Sequence, residues 1–153
     1  METLTGESTT KRAITASTCN HGALRRAARG VAQLYDQTLA PSGLNATQYN
    51  LLSAIERLKK PTQSELAADL VMDLSALGHT LKPLIRDGLV GTRPDELDGR
   101  KRRVILTRAG MARRHAAEAL WRSAQRRFEA VHGRKESAAL RRLLDVLAST
   151  SFI

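Results

Sequence analysis

Apolar residues recur at spacings of three and four along most of this chain. The exception is a short middle segment rich in Val, Ile, Leu and Thr. The periodicity predicts a first helix over about 18–39, with Leu24, Ala27, Ala28, Val31, Leu34, Tyr35 and Thr38 on one stripe, broken by Pro41-Ser42-Gly43. A second helix follows over 46–58, capped by Asn45 or Thr47, with Leu51, Leu52, Ile55 and Leu58 inward. Thr62 and Glu65 form a T-x-x-E capping box for a third helix over 61–70. A fourth opens at Met72-Asp73, turns Leu77, Leu81, Leu84 and Ile85 inward and stops at Gly88; Pro83 inside it predicts a bend or a local 3₁₀ turn. Two short strands, 89–93 and 103–107, flank a polar loop that holds Asp98-Gly99-Arg100-Lys101-Arg102. Thr107 can cap a long helix over 108–131, with Met111, His115, Ala119, Ser123 and Arg127 on one edge of its stripe and Ala112, Ala116, Leu120 and Ala124 beside it. A last helix over 136–148 carries Leu140, Leu143, Leu144 and Leu147. Residues 1–17, rich in Thr and Ser, lack periodicity and read as a flexible arm.

The expected architecture is therefore mainly α with a small β-hairpin wing, in a single domain over 18–153. A winged helix-turn-helix core spans about 45–107. The outer helices, about 18–40 and 108–149, carry apolar or small-residue stripes that would make a sparse bundle on one protomer. Paired with a second copy they would bury a sizeable interface, so a homodimer is expected.

Charge changes the picture from fold to partner. Against 15 acidic residues stand 25 Lys and Arg, a net +10, and such an excess favours a polyanion. Aromatics are only 3%, whereas single-strand and RNA binders stack bases on aromatic rings. Double-stranded DNA is the better fit. A lone cysteine, Cys19, excludes an internal disulfide and suits a reducing cytoplasm. No apolar run suggests a signal peptide or a membrane partner, and no motif asks for a cofactor.

A recognition helix enters the major groove with its N-terminal half toward the bases. In the fourth helix the outward set is Ser75, Ala76, Gly78, His79 and, at the edge, Lys82. Ser75 and His79 can hydrogen-bond base edges, Ala76 can meet a thymine methyl, and Gly78 allows close backbone approach. The wing tip supplies Arg100, Lys101 and Arg102, suited to the negative potential of a narrow minor groove. Asp98 is placed to orient the Arg100 guanidinium. Thr47, Gln48, Gln63 and Ser64, near helix starts, suit phosphate contacts.

These residues resemble the MarR family of winged helix-turn-helix bacterial regulators. The signs are Ser42-Gly43-Leu44-Asn45-Ala46-Thr47-Gln48-Tyr49, then Thr62-Gln63-Ser64-Glu65-Leu66-Ala67, then Met72-Asp73 with Leu81-Lys82-Pro83-Leu84-Ile85-Arg86-Asp87-Gly88-Leu89-Val90. In the wing they are Asp98-x-Arg100 and Leu106-Thr107-x-x-Gly110. The resemblance covers about residues 20–148. It implies a homodimer joined through the terminal helices, a pseudo-palindromic operator, repression, and release by a small, often aromatic, acid. Where many members carry Arg and Thr early in the recognition helix, this chain has Leu74, Gly78 and His79, so no operator sequence carries over.

In such a dimer the effector pocket lies between the first, second and fifth helices, with His21, Arg25, Tyr35, Tyr49, His115 and Trp121 as candidates. An Arg would pair a carboxylate and an aromatic would stack on a ring. One branch of the family senses organic hydroperoxides through a Cys near the start of the first helix; here that position falls on His21, two residues after Cys19, which weakens the analogy, but a Cys at a helix N-terminus can have a lowered pKa, so a redox-sensing repressor using Cys19 is the alternative. Rival classes are a sequence-tolerant architectural DNA-binding protein and a metal-binding helical protein. The latter rests on Glu129-x-x-His132 and His115-x-x-Glu118, but a di-iron bundle needs a second Glu-x-x-His, which is missing. Hydrolase signatures are absent, so no enzyme activity and no metal site are expected.

Overall fold

The computed structural model describes residues 18–152; the arm expected over 1–17 lies outside the described residues. Helix α1 (Asn20–Leu39) runs into a 3₁₀ turn (Ala40–Ser42). Then come α2 (Ala46–Leu58), α3 (Gln63–Asp69), α4 (Leu74–Arg86), the strands β1 (Val90–Pro94) and β2 (Arg102–Leu106), α5 (Arg108–His132) and α6 (Arg134–Ser149).

Each helix of the middle segment begins where a side chain satisfies its first free N–H groups. Asn45 Oδ1 accepts from Gln48 N–H at 2.8 Å while Gln48 Oε1 accepts from Asn45 N–H at 3.1 Å. Thr62 and Glu65 make the same reciprocal pair at 3.1 and 2.8 Å. Asp73 Oδ1 accepts from Ala76 N–H at 2.7 Å. Removing such a cap costs about 1 kcal/mol, so these residues set where the short helices start. Asn45, not Thr47, is the cap of α2, and α1 begins two residues later than the periodicity suggests because Cys19 is its cap.

One core joins the lobe. Leu39, Leu44, Leu51, Leu52, Ile55, Leu66, Leu77, Leu81, Leu84, Leu89, Val90 and Val104 are all buried together. Each such side chain contributes about 1.5–3 kcal/mol relative to exposure. Ile85, expected inward, is 42% exposed, because one helical step past Leu84 turns it off the buried face. The α-helix continues through Pro83 without a 3₁₀ break.

The hairpin is antiparallel, with Val90 opposite Leu106 and Pro94 opposite Arg102. Its strands lie one residue away from the expected bounds, which takes Arg102 out of the loop and into β2. The wing is tied to the α2–α3 turn. Val104 N–H donates to Pro61 O at 2.8 Å, Arg103 Nη1 donates to Lys60 O at 2.7 Å, and the Arg103 guanidinium pairs with Asp95. That guanidinium holds the Asp95 carboxyl below its usual range.

At the far end, Thr107 Oγ1 accepts from Gly110 N–H at 3.0 Å and donates to Gly88 O at 2.6 Å. The first turn of α5 thereby lies against the start of β1. A Cβ at Gly110 would stand 1.9 Å from Leu89 O, so only glycine fits there.

The buried seam of α5 runs through Gly110, Ala117 and Ala124. Of the expected edge, Met111, His115, Ala119 and Arg127 are exposed and Ser123 is half-buried; of the row beside it, Ala112 and Ala116 are exposed, Leu120 is half-buried and Ala124 is buried as expected. The helix is so rich in Ala and Arg that several stripes have similar polarity, and packing selects among them, as where Leu89 excludes any side chain at Gly110. In α1 itself Leu24, Ala27, Ala28 and Val31 are exposed, and only the lower end packs down, with Leu39 buried. On α6, Leu143 is 58% exposed, with Leu140, Leu144, Val146 and Leu147 exposed alongside.

Candidate nucleic-acid interface

Burial of Leu77, Leu81 and Leu84 leaves the opposite face of α4 in solvent. Ser75, Ala76, Gly78, His79 and Lys82 are all exposed there and line one shallow groove with Asp73 and Thr80. A Cβ at Gly78 would meet nothing within 4 Å, so glycine is not required by packing. A second groove lies between the start of α2 and the end of α4, lined by Asn45, Thr47, Gln48, His79, Thr80, Lys82, Pro83 and Arg86. It brings Thr47 and Gln48 beside His79 and Lys82, although the Gln48 amide oxygen is already used in the α2 cap. Arg86 was missed from the sequence; its spacing of four from Lys82 on a helix is the signal that could have found it. Gln63 and Ser64 sit in the first turn of α3, half-buried and exposed respectively.

On the wing, Arg100, Lys101 and Arg102 are exposed. Asp98 Oδ1 accepts from the Arg100 backbone N–H at 3.1 Å, and Asp98 O accepts from Lys101 N–H at 2.9 Å. Asp98 therefore shapes the backbone of the tip; the expected contact with the guanidinium is replaced by this turn. Arg102, on the strand, donates from Nη2 to Thr92 Oγ1 at 3.0 Å.

A cavity of about 480 Å³ opens between α1, α2 and α5, lined by Tyr35, Leu39, Ala46, Thr47, Tyr49, Asn50, Ser53, Arg114, Glu118 and Trp121. It brings Tyr35, Tyr49 and Trp121 together. Tyr49 and Trp121 stack with centroids 6.1 Å apart and planes 19° from parallel. The Arg114 guanidinium lies 5.7 Å from the Tyr49 ring centre. Burial raises the Tyr35 and Tyr49 phenols above their ordinary pKa. His21, Arg25 and His115 are not in the lining. The first two are exposed near the start of α1, and His115 faces outward, its Nε2 2.8 Å from Glu56 Oε1. Arg114, one residue earlier, takes the inward place because the α5 seam is rotated from the expected stripe.

The sequence profile of the MarR family matches residues 42–101, from the turn before α2 into the wing. The transcriptional regulator MosR of M. tuberculosis, solved in complex with DNA, is 37% identical over 85% of this chain and 93% of that one, with a TM-score of 0.77. The chain belongs to the MarR family. A mutant MarR of E. coli complexed with operator DNA is 26% identical over 83% of this chain and 91% of that one, with a TM-score of 0.75. PcaV of Streptomyces coelicolor, solved with its natural ligand, shares the fold at 21% identity, covering 87% and 94% of the two chains with a TM-score of 0.77. No match was found among curated proteins. MarR proteins are DNA-binding transcription regulators rather than enzymes, and the six α-helices and two-stranded wing among the described residues are their winged-helix architecture.

Within this MarR fold Cys19 is exposed, and its Sγ accepts from Gly22 N–H at 3.4 Å as the cap of α1. The spacings that suggested metal ligands are engaged otherwise. Glu129 lies near Arg134 and Arg141, His132 packs on Phe128, and His115 meets Glu56. Among the described residues no helix is long and apolar enough to cross a membrane.

Proposed function

We propose that this MarR-family chain is a homodimeric repressor that reads a pseudo-palindromic operator and is released by a small aromatic effector. The observation that carries this reading is the α4 face. Ser75, Ala76, Gly78, His79 and Lys82 stand in solvent on one side of a helix whose other side is locked in the core. Ser75 and His79 read base edges, and Lys82, Arg86, Thr47, Gln48, Gln63 and Ser64 hold phosphates. Arg100 and Lys101 at the wing tip enter the adjacent minor groove, with Arg102 beside them on the backbone and Asp98 fixing the turn. The DNA seen with the MosR and MarR relatives supports this role.

The exposed apolar residues of α1 and α6, among them Leu24, Val31, Leu143 and Leu147, support pairing of two copies. A dimer sets two recognition helices about 34–36 Å apart, one turn of DNA. An effector seated among Tyr35, Tyr49 and Trp121 touches both the terminal helix α1 and the lobe helix α2. It shifts the spacing only by its differential affinity for the two arrangements.

The test is fluorescence anisotropy with duplex from the chain's own upstream region against random duplex, alongside light scattering for the oligomer. A regulator prefers its operator by about 10³-fold or more. A ratio near one favours the architectural reading, and a monomer in solution removes the dimer.

A further inference from the structure

The polar wall of the aromatic cavity is already neutralised. Arg114 is the cation in its lining, and two carboxylates hold it. Its Nε lies 3.1 Å from Glu56 Oε2 and 3.3 Å from Ser53 Oγ, and its Nη1 lies 3.5 Å from Glu118 Oε2. Glu118 in turn accepts from Arg122 Nη2 at 2.8 Å, and Glu56 meets His115 at 2.8 Å.

A ligand carboxylate brought to Arg114 meets Glu56 and Glu118 at the same guanidinium, and like charges there repel it. A ligand cation aimed at Glu118 or at the Tyr49 face meets Arg114, which already occupies that position over the ring. What remains for recognition is neutral: the rings of Tyr35, Tyr49 and Trp121 for stacking, and Asn50 and Thr47 on the lining for hydrogen bonds.

We infer that the effector of this chain is an uncharged planar aromatic with hydrogen-bonding groups, rather than an aromatic acid. This rests on the proposed role of the cavity as the effector site and adds its charge selectivity.

The chain's single tryptophan is Trp121, in the cavity wall, so its fluorescence reports occupancy directly. The full-length protein is titrated with benzamide, benzoate and benzamidinium, which share shape and differ in charge. Benzamide is expected to perturb Trp121 with at least tenfold higher affinity than either ion. In Glu56→Gln, which loosens the hold on Arg114 from outside the cavity lining, the benzoate affinity is expected to rise at least fivefold while benzamide stays within twofold. Equal or tighter binding of benzoate or benzamidinium to the unaltered protein overturns the inference, as does no response to any of the three. Operator binding is measured on the same samples without ligand. Its loss counts against the regulator reading alone, and its retention with the wrong charge order counts against this inference alone.

Discussion

Replacing Gly110 with alanine should damage the protein through a single carbon. The new Cβ would lie 1.9 Å from Leu89 O and 2.8 Å from Leu89 C, both backbone atoms that no rotamer change can move aside. Relief to the 3.0 Å that real Cβ contacts respect needs a shift of more than 1 Å between α5 and β1. That shift stretches Thr107 N–H to Leu89 O, now 3.1 Å, and Thr107 Oγ1 to Gly88 O, now 2.6 Å. Overpacking costs about 1–3 kcal/mol, and rigid backbone on one side puts this case at the upper end. The better helix propensity of alanine returns up to about 1 kcal/mol. The net loss is then about 2 kcal/mol, which for a chain of this size lowers Tm by roughly 4–8 °C. Urea and thermal unfolding at one fixed protomer concentration measure it, since a dimer's Tm depends on concentration. A Gly110→Ala protein within about 0.5 kcal/mol of the parent, the range of ordinary surface changes, would refute the close approach of α5 to Leu89.

Other outcomes follow from the same geometry. Val71, a β-branched residue at φ 52° in the turn between α3 and α4 and 67% exposed, should become glycine with a gain of about 1 kcal/mol, read as a higher urea midpoint. Gly78→Ala, with nothing within 4 Å of the new Cβ, should stabilise α4 by up to about 1 kcal/mol yet weaken operator binding in an anisotropy titration; stronger binding would contradict the close approach of that face to DNA. The Asp95 carboxyl is held below its usual range by Arg103, so its folded pKa is lower than its unfolded one. Its contribution to stability is therefore full above about pH 4, the unfolded value, and fades as pH falls through the folded value. Asp95→Asn should flatten the acid limb of a Tm-against-pH curve and change its neutral slope little.

The starts and stops of the middle helices were legible because they are local chemistry. Asn45, Thr62, Asp73 and Thr107 each bond the N–H three residues on, and Gly88 supplies the positive φ of 73° that ends α4. The outward face of α4 was legible for a related reason: Leu77, Leu81 and Leu84 fix one side of a short helix, and the other side follows. The effector candidates were less so. Tyr35, Tyr49 and Trp121 meet in one cavity, but choosing Arg114 over His115 requires the rotation of α5, a tertiary quantity. An Ala- and Arg-rich helix hides that rotation, since Gly110 and Ala117 look no more inward than Ala112, Ala116 and Ala119. Asp98 illustrates a third case. The residue is at the expected place, but its reach is to the Arg100 backbone, and side chain against backbone cannot be told apart by spacing.

The central claim is that α4 and the wing read DNA in different ways, and one set of titrations tests it most directly. Binding of the unaltered protein, His79→Ala and Arg100→Ala to operator and to random duplex is measured across a range of salt. His79→Ala should lose operator affinity, by the roughly 1–3 kcal/mol of a base contact, while random duplex binding stays nearly unchanged. Arg100→Ala should weaken both and reduce the salt slope by about one. If both variants bind operator as the parent does, with the same salt slope, then neither the α4 face nor the wing tip is the DNA-reading surface.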